Sequence, residues 1–330
     1  MIPQSLLAVF LLAGATLCAH GSDFETRRTA PGVVRSLDLD STQEVEPHLF
    51  GAGDGRIRGT VDTAVKASGA GSLRFEIPSN SPANSSGSFW SNFMDDMSLQ
   101  FGEGQEFYVQ WRQRFSPEML RAFRGGNGWK QIIIGEGDQP GLPTAWSCTE
   151  LELVIQQDTR YMGPSFYHSC GRFISIEFHD GTQWRLQHQG PPYCYYPDDP
   201  DKGCYPYFPN EWMTFQIHVK IGTWNKANSR IRFWAAREGH PSVLIYDTDI
   251  SPGGFTLYNT AGTNPNAKYG KLWLLTYNTN KDPSETHAPA YTWYDELIIS
   301  RSRIPDPTAS GDPPPQDSVA PSAPKNLRVE

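Results

Sequence analysis

Two glutamates, Glu150 and Glu152, lie two residues apart in the stretch "TELELVIQQ", where their type and spacing suggest acid–base chemistry. Alternate residues of a β-strand project from one face, so their Cα atoms would lie roughly 7 Å apart on the same side. Retaining glycoside hydrolases place their two carboxyl groups about 5 Å apart. The pair therefore suggests either glycoside hydrolysis or the binding of sugar hydroxyls or a cation, and both interpretations stay open.

Polar side chains alternate with apolar ones along several other stretches. The polar faces carry Arg112 and Arg114, then Gln216, His218 and Lys220, and then Lys271, Trp273 and Tyr277. If these strands are neighbours in one curved sheet, their polar faces form one continuous groove. Aromatic rings stack on sugars, while amides and charged groups bind hydroxyls and carboxylates. The pattern therefore predicts a concave polar groove that binds a hydroxyl-rich chain.

The elements that must position these residues are almost all strands. Alternating stretches such as "SLRFEI", "EFYVQWRQRF", "WKQIIIG", "MTFQIHVKIG", "IRFWAA" and "YTWYDELIIS" are separated by Gly, Pro, Asn and Asp. One short helix is predicted within 116–126, with Ser116 as its N-cap. The pattern predicts an all-β fold, either a sandwich or a barrel.

The order of these strands resembles the concanavalin A-like jelly-roll group, which includes laminarinase-type glucanases, sugar-binding domains and polysaccharide lyases. "WMTFQIHVKIG" resembles a strand common in that group, and "WYDELIIS" resembles its closing strand. The resemblance implies a concanavalin A-like jelly-roll fold, and we expect a single β-sandwich of two antiparallel sheets over roughly residues 35–302.

Three stretches, in the same order, resemble the groove of jelly-roll alginate lyases. They are "CTELE" (148–152), "QIH" (216–218) and "KLWLLTYNTN" (271–280). QIH matches the family pattern in full. Cys148 and Glu152 stand where the family has arginines, and Thr279 follows Asn278 where the family has Gln. The resemblance implies a lyase that cleaves a uronate-containing polysaccharide, and Arg112 or Arg114 would supply the missing positive charge.

The resemblance also implies roles in β-elimination, where a proton α to a carboxylate must leave. Gln216 and His218, with help from Arg112, would neutralise that carboxylate, and Tyr277 would act as base and leaving-group acid. The predicted substrate-binding residues are Glu150, Glu152, Lys220, Trp273, Asn278, Arg114 and Tyr195.

Two other functions remain open. A non-catalytic carbohydrate-binding domain would use the same groove without cleaving a bond. A glycoside hydrolase would use Glu150 and Glu152, but Ile155 and Gln156 stand where the laminarinase-type strand has its third acid. We therefore rank hydrolysis below elimination.

Export is predicted from the first residues of the chain. The apolar run Leu6–Ala19 is too short to span a bilayer and is followed by small residues, which predicts a signal peptide over 1–21 and a secreted, extracellular protein. The formal net charge of −8 argues against a general nucleic-acid binder. We expect a monomer whose partner is a polysaccharide, with no membrane or nucleic-acid partner.

The four cysteines that follow the signal peptide suggest two disulfides, for which three connectivities exist. Cys194 and Cys204 would close a short loop, which leaves Cys148 and Cys170 as the second pair; a zinc site is the alternative. Tyr195 belongs to that tyrosine-rich loop, which either grips a sugar chain or packs on the sandwich. We expect no required cofactor, and a structural calcium ion on Asp198, Asp199 and Asp201 is an open alternative.

The composition also predicts domain boundaries. The jelly-roll domain is expected over 22–303, and a Pro-rich linker over 304–324. Residues 325–330 resemble the start of a fibronectin type III module.

Overall fold

In a computed structural model of the chain, the described residues are 23–50, 59–121, 128–136, 152–157, 164–168, 178–179, 182–183, 205–248, 255–257 and 268–307. They form seventeen strands, three short α-helices and one 3₁₀ turn. The predicted signal peptide, the fibronectin-like segment and all five cysteines lie outside this description. The predicted all-β class is confirmed.

The strands are numbered in chain order. They are β1 (Val33–Leu37), β2 (Leu49–Phe50), β3 (Gly59–Asp62), β4 (Ser72–Ile77), β5 (Ser85–Asn92), β6 (Glu106–Phe115), β7 (Gly128–Glu136), β8 (Glu152–Gln157), β9 (Pro164–His168), β10 (Phe178–His179), β11 (Thr182–Gln183), β12 (Trp212–Lys220), β13 (Ala227–Ala236), β14 (Val243–Asp247), β15 (Phe255–Thr256), β16 (Tyr269–Thr279) and β17 (Ala290–Ser300).

Two large antiparallel sheets face each other. The nine-stranded sheet has the order β14-β13-β12-β6-β17-β4-β3, with β1 paired to β17 and β15 paired to β13. The six-stranded sheet has the order β2-β5-β16-β7-β8-β9, and β10 and β11 form a separate pair. The chain is therefore a β-sandwich of two antiparallel sheets, as predicted.

The core lies between the inner faces of the two sheets. Phe215, Ile217 and Val219 of β12 are fully buried there, opposite Leu272 and Leu274 of β16. Because side chains alternate along a strand, this inward apolar set turns the intervening residues outward. Full burial of each such side chain contributes about 1.5–3 kcal/mol to folding. The alternation of each strand thus decides which residues reach the two outer faces.

The helices are short and lie at the ends of strands. α1 (Asp23–Arg28) has acidic residues in its first turn and basic residues in its last, which complements the helix dipole. α2 (Thr42–Val45) is followed by the 3₁₀ turn Glu46–His48. In α3 (Pro117–Arg121), the Ser116 hydroxyl accepts a hydrogen bond from the Met119 amide at 3.1 Å, which confirms the predicted N-cap.

After β17 the chain folds back over the outer face of the nine-stranded sheet. We call residues 303–306 the C-terminal strap. Ile304 is 1% exposed and packs against Phe24 of α1 and Ile298 of β17. The composition assigned residue 304 to the linker, but the sandwich holds its chain as far as Asp306, which is also buried.

Candidate active site

The residues of the predicted groove lie on two different sheets. β12, which carries Gln216 and His218, lies between β6 and β13 in the nine-stranded sheet. β16, which carries Tyr277, lies between β5 and β7 in the six-stranded sheet. The core separates these two outer faces, so the expectation that His218 and Tyr277 share one groove is wrong. Alternation within a strand shows which residues share a face, but it does not show which strands are neighbours.

Gln216 is fully engaged by the C-terminal strap. Its amide nitrogen donates to the Ile304 carbonyl at 3.0 Å, and its amide oxygen accepts from the Ile304 backbone N–H at 2.9 Å. The neighbouring Gln110 donates in the same way to the Pro305 carbonyl at 3.0 Å. The polar face of β12 therefore binds the protein's own chain at this point, and the expectation that Gln216 lines a sugar groove is wrong.

His218 is buried beside the strap in the same sheet. Its ring stacks on Tyr108 with centroids 4.3 Å apart, and its Nε2 lies 2.7 Å from a carboxylate oxygen of Glu106. Burial lowers the pKa of His218, and the hydrogen bond to Glu106 opposes that shift. These contacts give His218 a packing role in the nine-stranded sheet, and it cannot neutralise a substrate held beside Tyr277.

Arg112 belongs to an ion network on that same outer face. Its guanidinium nitrogens lie 3.7 Å from Glu296 and 3.6 Å from Glu238, and Arg27 of α1 also pairs with Glu296. Arg114 follows on the same face of β6, because Trp111, Gln113 and Phe115 point inward. Arg112 and Arg114 are therefore not the positive charges of a site beside Tyr277.

Lys220 ends β12 on the same sheet. It is exposed and its backbone lies opposite Glu106 and Arg230. Like Arg112 and Arg114, it is separated by the core from Tyr277.

Tyr277 does reach an outer face, where it meets a cation that the sequence did not single out. Tyr277 pairs across the sheet with Lys130 of β7, and the Lys130 ammonium nitrogen lies 4.7 Å from the centre of the Tyr277 ring. Lys130 is 9% exposed and Tyr277 is half-buried. A cation above an aromatic face at this distance is attracted to it. The signal in the sequence is a lysine followed by a glutamine at the start of the largely apolar stretch "WKQIIIG".

An apolar cluster continues the same face along the six-stranded sheet. Trp273 of β16 pairs directly with Trp90 of β5, and Ile133 and Leu275 complete the cluster. The ammonium nitrogen of Lys271 lies 6.0 Å from the rings of both tryptophans. The structure therefore places Trp273 on the same face as Tyr277, as the alternation predicted.

Asn278 lies on the opposite face of β16 from Tyr277. It is fully buried, and its amide nitrogen donates to the Ser85 hydroxyl at 3.1 Å. An adjacent residue in a strand necessarily points the other way. Asn278 is therefore not part of this site, and the prediction that it binds substrate is wrong.

His48 extends the aromatic face toward the edge of the sheet. Its ring lies 5.0 Å from Trp90 in an edge-on orientation and 5.4 Å from Phe89. Burial lowers the pKa of His48, and the charge of Arg35 lowers it further. His48 lies in the 3₁₀ turn Glu46–His48 and belongs to no sequence pattern, so the sequence does not indicate it as a site residue.

The remaining predicted residues are only partly placed. Glu152 begins β8, and its backbone pairs with Gly135 of β7 in the sheet that carries Lys130. Glu150, Tyr195, the three aspartates and the predicted disulfide pairs lie outside the described residues. Among the residues that the structure describes, no cluster of His, Cys, Asp and Glu has the arrangement of a metal site. Within the same residues, no helix has the length and apolarity needed to cross a membrane.

Comparison with solved structures places this fold among known ones. An alginate lyase of family PL-14 from Aplysia kurodai is similar with a TM-score of 0.50, at 15% identity over 81% of this chain and 98% of that one. An endo-β-1,4-glucuronan lyase from the fungus Trichoderma reesei gives a TM-score of 0.49, at 12% identity over 81% and 95%. A Bauhinia forficata lectin in complex with GalNAc gives 0.37, at 11% identity over 81% and 97%. No family model and no curated protein sequence matches the chain.

The likeness to the Aplysia kurodai alginate lyase, at a TM-score of 0.50, supports the fold alone. The chain is a jelly-roll β-sandwich of the kind that polysaccharide lyases have, and the sequence expectation of that fold is confirmed. On this fold, one outer face of the six-stranded sheet joins a phenol, an ammonium and an aromatic floor. Such a set has the groups that bind a negatively charged sugar and move a proton on it.

Proposed function

We propose that the protein is a secreted polysaccharide lyase that cleaves a uronate-containing polysaccharide by β-elimination. The observation that carries the proposal is the cross-strand pair of Lys130 and Tyr277, with 4.7 Å between the ammonium nitrogen and the ring centre. The lyase-like fold supports it, and so does the extended aromatic floor next to the pair.

Elimination makes two demands on a site. The proton at C5 of a uronate is weakly acidic because its loss leaves a second negative charge next to the carboxylate. A positive group at the carboxylate lowers that barrier, and a base on the face of the ring removes the proton. One residue that takes the proton from C5 and returns it to O4 completes the reaction as the C4–O4 bond breaks and the C4=C5 bond forms.

Lys130 and Tyr277 meet these demands together. The Lys130 ammonium binds and neutralises the uronate carboxylate. The family resemblance assigns this role to Gln216, His218 and Arg112. The Tyr277 phenolate oxygen takes the proton from C5, and the resulting phenol donates it to the leaving O4. The roles of base and leaving-group acid thus stay with Tyr277, as the resemblance implied.

The substrate class follows from the charge and the rings of this face. Lys130 is the cation beside Tyr277 on this face, Lys271 is fully buried near the rings of Trp90 and Trp273, and these two tryptophans form a cross-strand pair between β5 and β16. Cations favour a polyanion, and indole faces stack on the apolar faces of sugar rings. A polyuronate combines both features, whereas a neutral glucan lacks the carboxylate on which the proposed elimination depends.

The proposal is tested by incubating the purified protein with a panel of polyuronates that differ in sugar and linkage. A lyase produces an unsaturated uronate, which absorbs in the ultraviolet, and each cleavage produces one such end. If the protein binds a polyuronate but produces no absorbance with any member of the panel, the lyase proposal is wrong and the protein is a non-catalytic carbohydrate-binding domain. Reducing ends that appear without absorbance would instead indicate hydrolysis.

A further inference from the structure

We infer that Tyr294 and Gln131 are positioning residues that set the geometry of Lys130 and Tyr277 from inside the core. The catalytic part of this inference rests on the proposed function. Its geometric part rests on contacts alone and is tested separately below.

The sheet is irregular at the point where the pair is formed. On β7, Gln131 follows Lys130, and the register shifts there against both neighbouring strands. Tyr277 lies opposite Lys130, but Leu274 lies opposite Ile132, so two residues of β16 face the single residue Gln131. A β-bulge of this kind redirects side chains and weakens the regular ladder. The separation of Lys130 and Tyr277 therefore depends on how this bulge is held.

Tyr294 reaches the bulge from the opposite sheet. It lies on the inner face of β17, is fully buried, and packs edge-on against Phe75. Its hydroxyl lies 2.7 Å from the Leu275 carbonyl oxygen and 2.8 Å from the Gln131 carbonyl oxygen. The hydroxyl has one proton to share between these two acceptors. A single side chain thus joins β16 and β7, one residue from Lys130 and two from Tyr277.

The side chain of Gln131 is held as tightly as its backbone. Its amide nitrogen donates to Gln113 at 2.8 Å, and its amide oxygen accepts from the Tyr207 hydroxyl at 2.9 Å. Gln113 in turn donates to the Thr292 hydroxyl at 2.9 Å. All of these side chains are buried, so the amide groups of both glutamines are satisfied within the core.

Such a polar network costs more to place in a core than apolar side chains of the same size, because every member must be desolvated and paired. Its strict geometry supplies what apolar packing lacks, a fixed position for the two carbonyls at the bulge. Burial also raises the pKa of Tyr294, so its hydroxyl keeps the proton that it donates. The network therefore suits a site whose reacting groups must not drift.

The test compares Tyr294→Phe with Thr292→Val. The first removes the hydroxyl at the bulge and keeps the ring; the second removes a hydroxyl from the same network, two links away. We expect Tyr294→Phe to lower kcat by about a hundredfold with little change in KM, because displacements of about 1 Å cost that much. Thr292→Val should leave kcat nearly unchanged. Gln131→Met is the second variant, used if Tyr294→Phe does not fold, and should act like it.

A readout independent of activity is the NMR signal of the Tyr277 ring in protein labelled with ¹³C-tyrosine, assigned by its loss in Tyr277→Phe. Tyr294→Phe should shift this signal and Thr292→Val should not. An unchanged Tyr277 signal in both Tyr294→Phe and Gln131→Met, or an equal shift in Thr292→Val, would overturn the inference. If no polyuronate is cleaved, the NMR comparison still decides the geometric part, so the two failures are distinguishable.

Discussion

Gln216 and the backbone of Ile304 exchange two hydrogen bonds, so the amide that looked most like a substrate ligand is the anchor of the C-terminal strap. The motif QIH matches the family pattern in sequence, but in this chain it lies on the nine-stranded sheet. Gln216 holds the strap against that sheet, while Arg27 of α1 donates to Gln110 and pairs with Glu296 of the same sheet. The candidate site lies on the other side of the sandwich.

The first prediction concerns the proposed reacting pair. Lys130→Gln and Tyr277→Phe should each lower the rate of elimination by about 10²–10⁴-fold, the usual contribution of a positioned proton-transfer or charge-neutralising group. The ultraviolet absorbance of the unsaturated product measures the rate. Lys220→Gln, an exposed lysine on the opposite sheet, is the control and should retain full activity. Full activity in Lys130→Gln would contradict the assignment.

The second prediction separates stability from catalysis at the strap. Gln216→Ala should lower the free energy of unfolding by about 1–3 kcal/mol, because both polar groups of Ile304 lose a buried partner. The rate constant of the remaining folded protein should stay unchanged. Thermal and urea unfolding check the first part, and product absorbance below the melting temperature checks the second. A large loss of kcat with an unchanged melt would return Gln216 to the active site.

The third prediction concerns pH. The pKa of His218 is lowered from its ordinary value of 6.5 by burial. The unfolded chain therefore takes up a proton at higher pH than the native protein does, and stability falls as the pH drops below about 6.5. His218→Asn should reduce this fall, measured as the free energy of urea unfolding at pH 7.5 and pH 5.5.

The control for that experiment is His240→Asn, at an exposed position. Other groups that titrate in this range affect wild type and both variants alike, so the difference between variants isolates His218. If the two variants lose stability on acidification by the same amount, the expected coupling of His218 to folding is absent.

The fourth prediction concerns the aromatic floor. Trp273→Leu should weaken binding of a polyuronate by about tenfold, because stacking on an aromatic face is worth about 0.5–1.5 kcal/mol beyond the area that it buries. Binding is measured by calorimetry in the Tyr277→Phe background, where no substrate is consumed and the Lys130 ammonium is kept. Trp234→Leu, on the nine-stranded sheet, is the matched control and should leave binding unaltered.

The fifth prediction concerns export. The mature protein should lack the first 21 residues and contain a disulfide between Cys194 and Cys204. Peptide mapping by mass spectrometry without reduction measures both. Four free thiols in protein recovered from the medium would contradict the predicted disulfides. An uncleaved N-terminus would contradict the predicted signal peptide.

The sequence by itself determined the fold class and the faces of single strands. The apolar alternation of "MTFQIHVKIG" and "KLWLLTYN" is local, because successive side chains of a strand point to opposite sides. It correctly set Phe215 and Leu274 toward the core and Trp273 and Tyr277 away from it. The N-cap at Ser116 is local in the same sense, since its partner is three residues away.

Only the tertiary structure decided which strands are neighbours, and so which residues share an outer face. β12 pairs with β6 and β13, and β16 pairs with β5 and β7, through contacts between residues far apart in sequence. No pattern within one strand shows which strand lies beside it. Gln216 and Tyr277 are both outward-facing polar residues of alternating strands, and the sequence does not show that the core separates them. Lys130 becomes visible as a site residue only when pairing brings it over Tyr277. The physical reason is that alternation is fixed by the geometry of one chain, whereas strand order is fixed by packing the whole core.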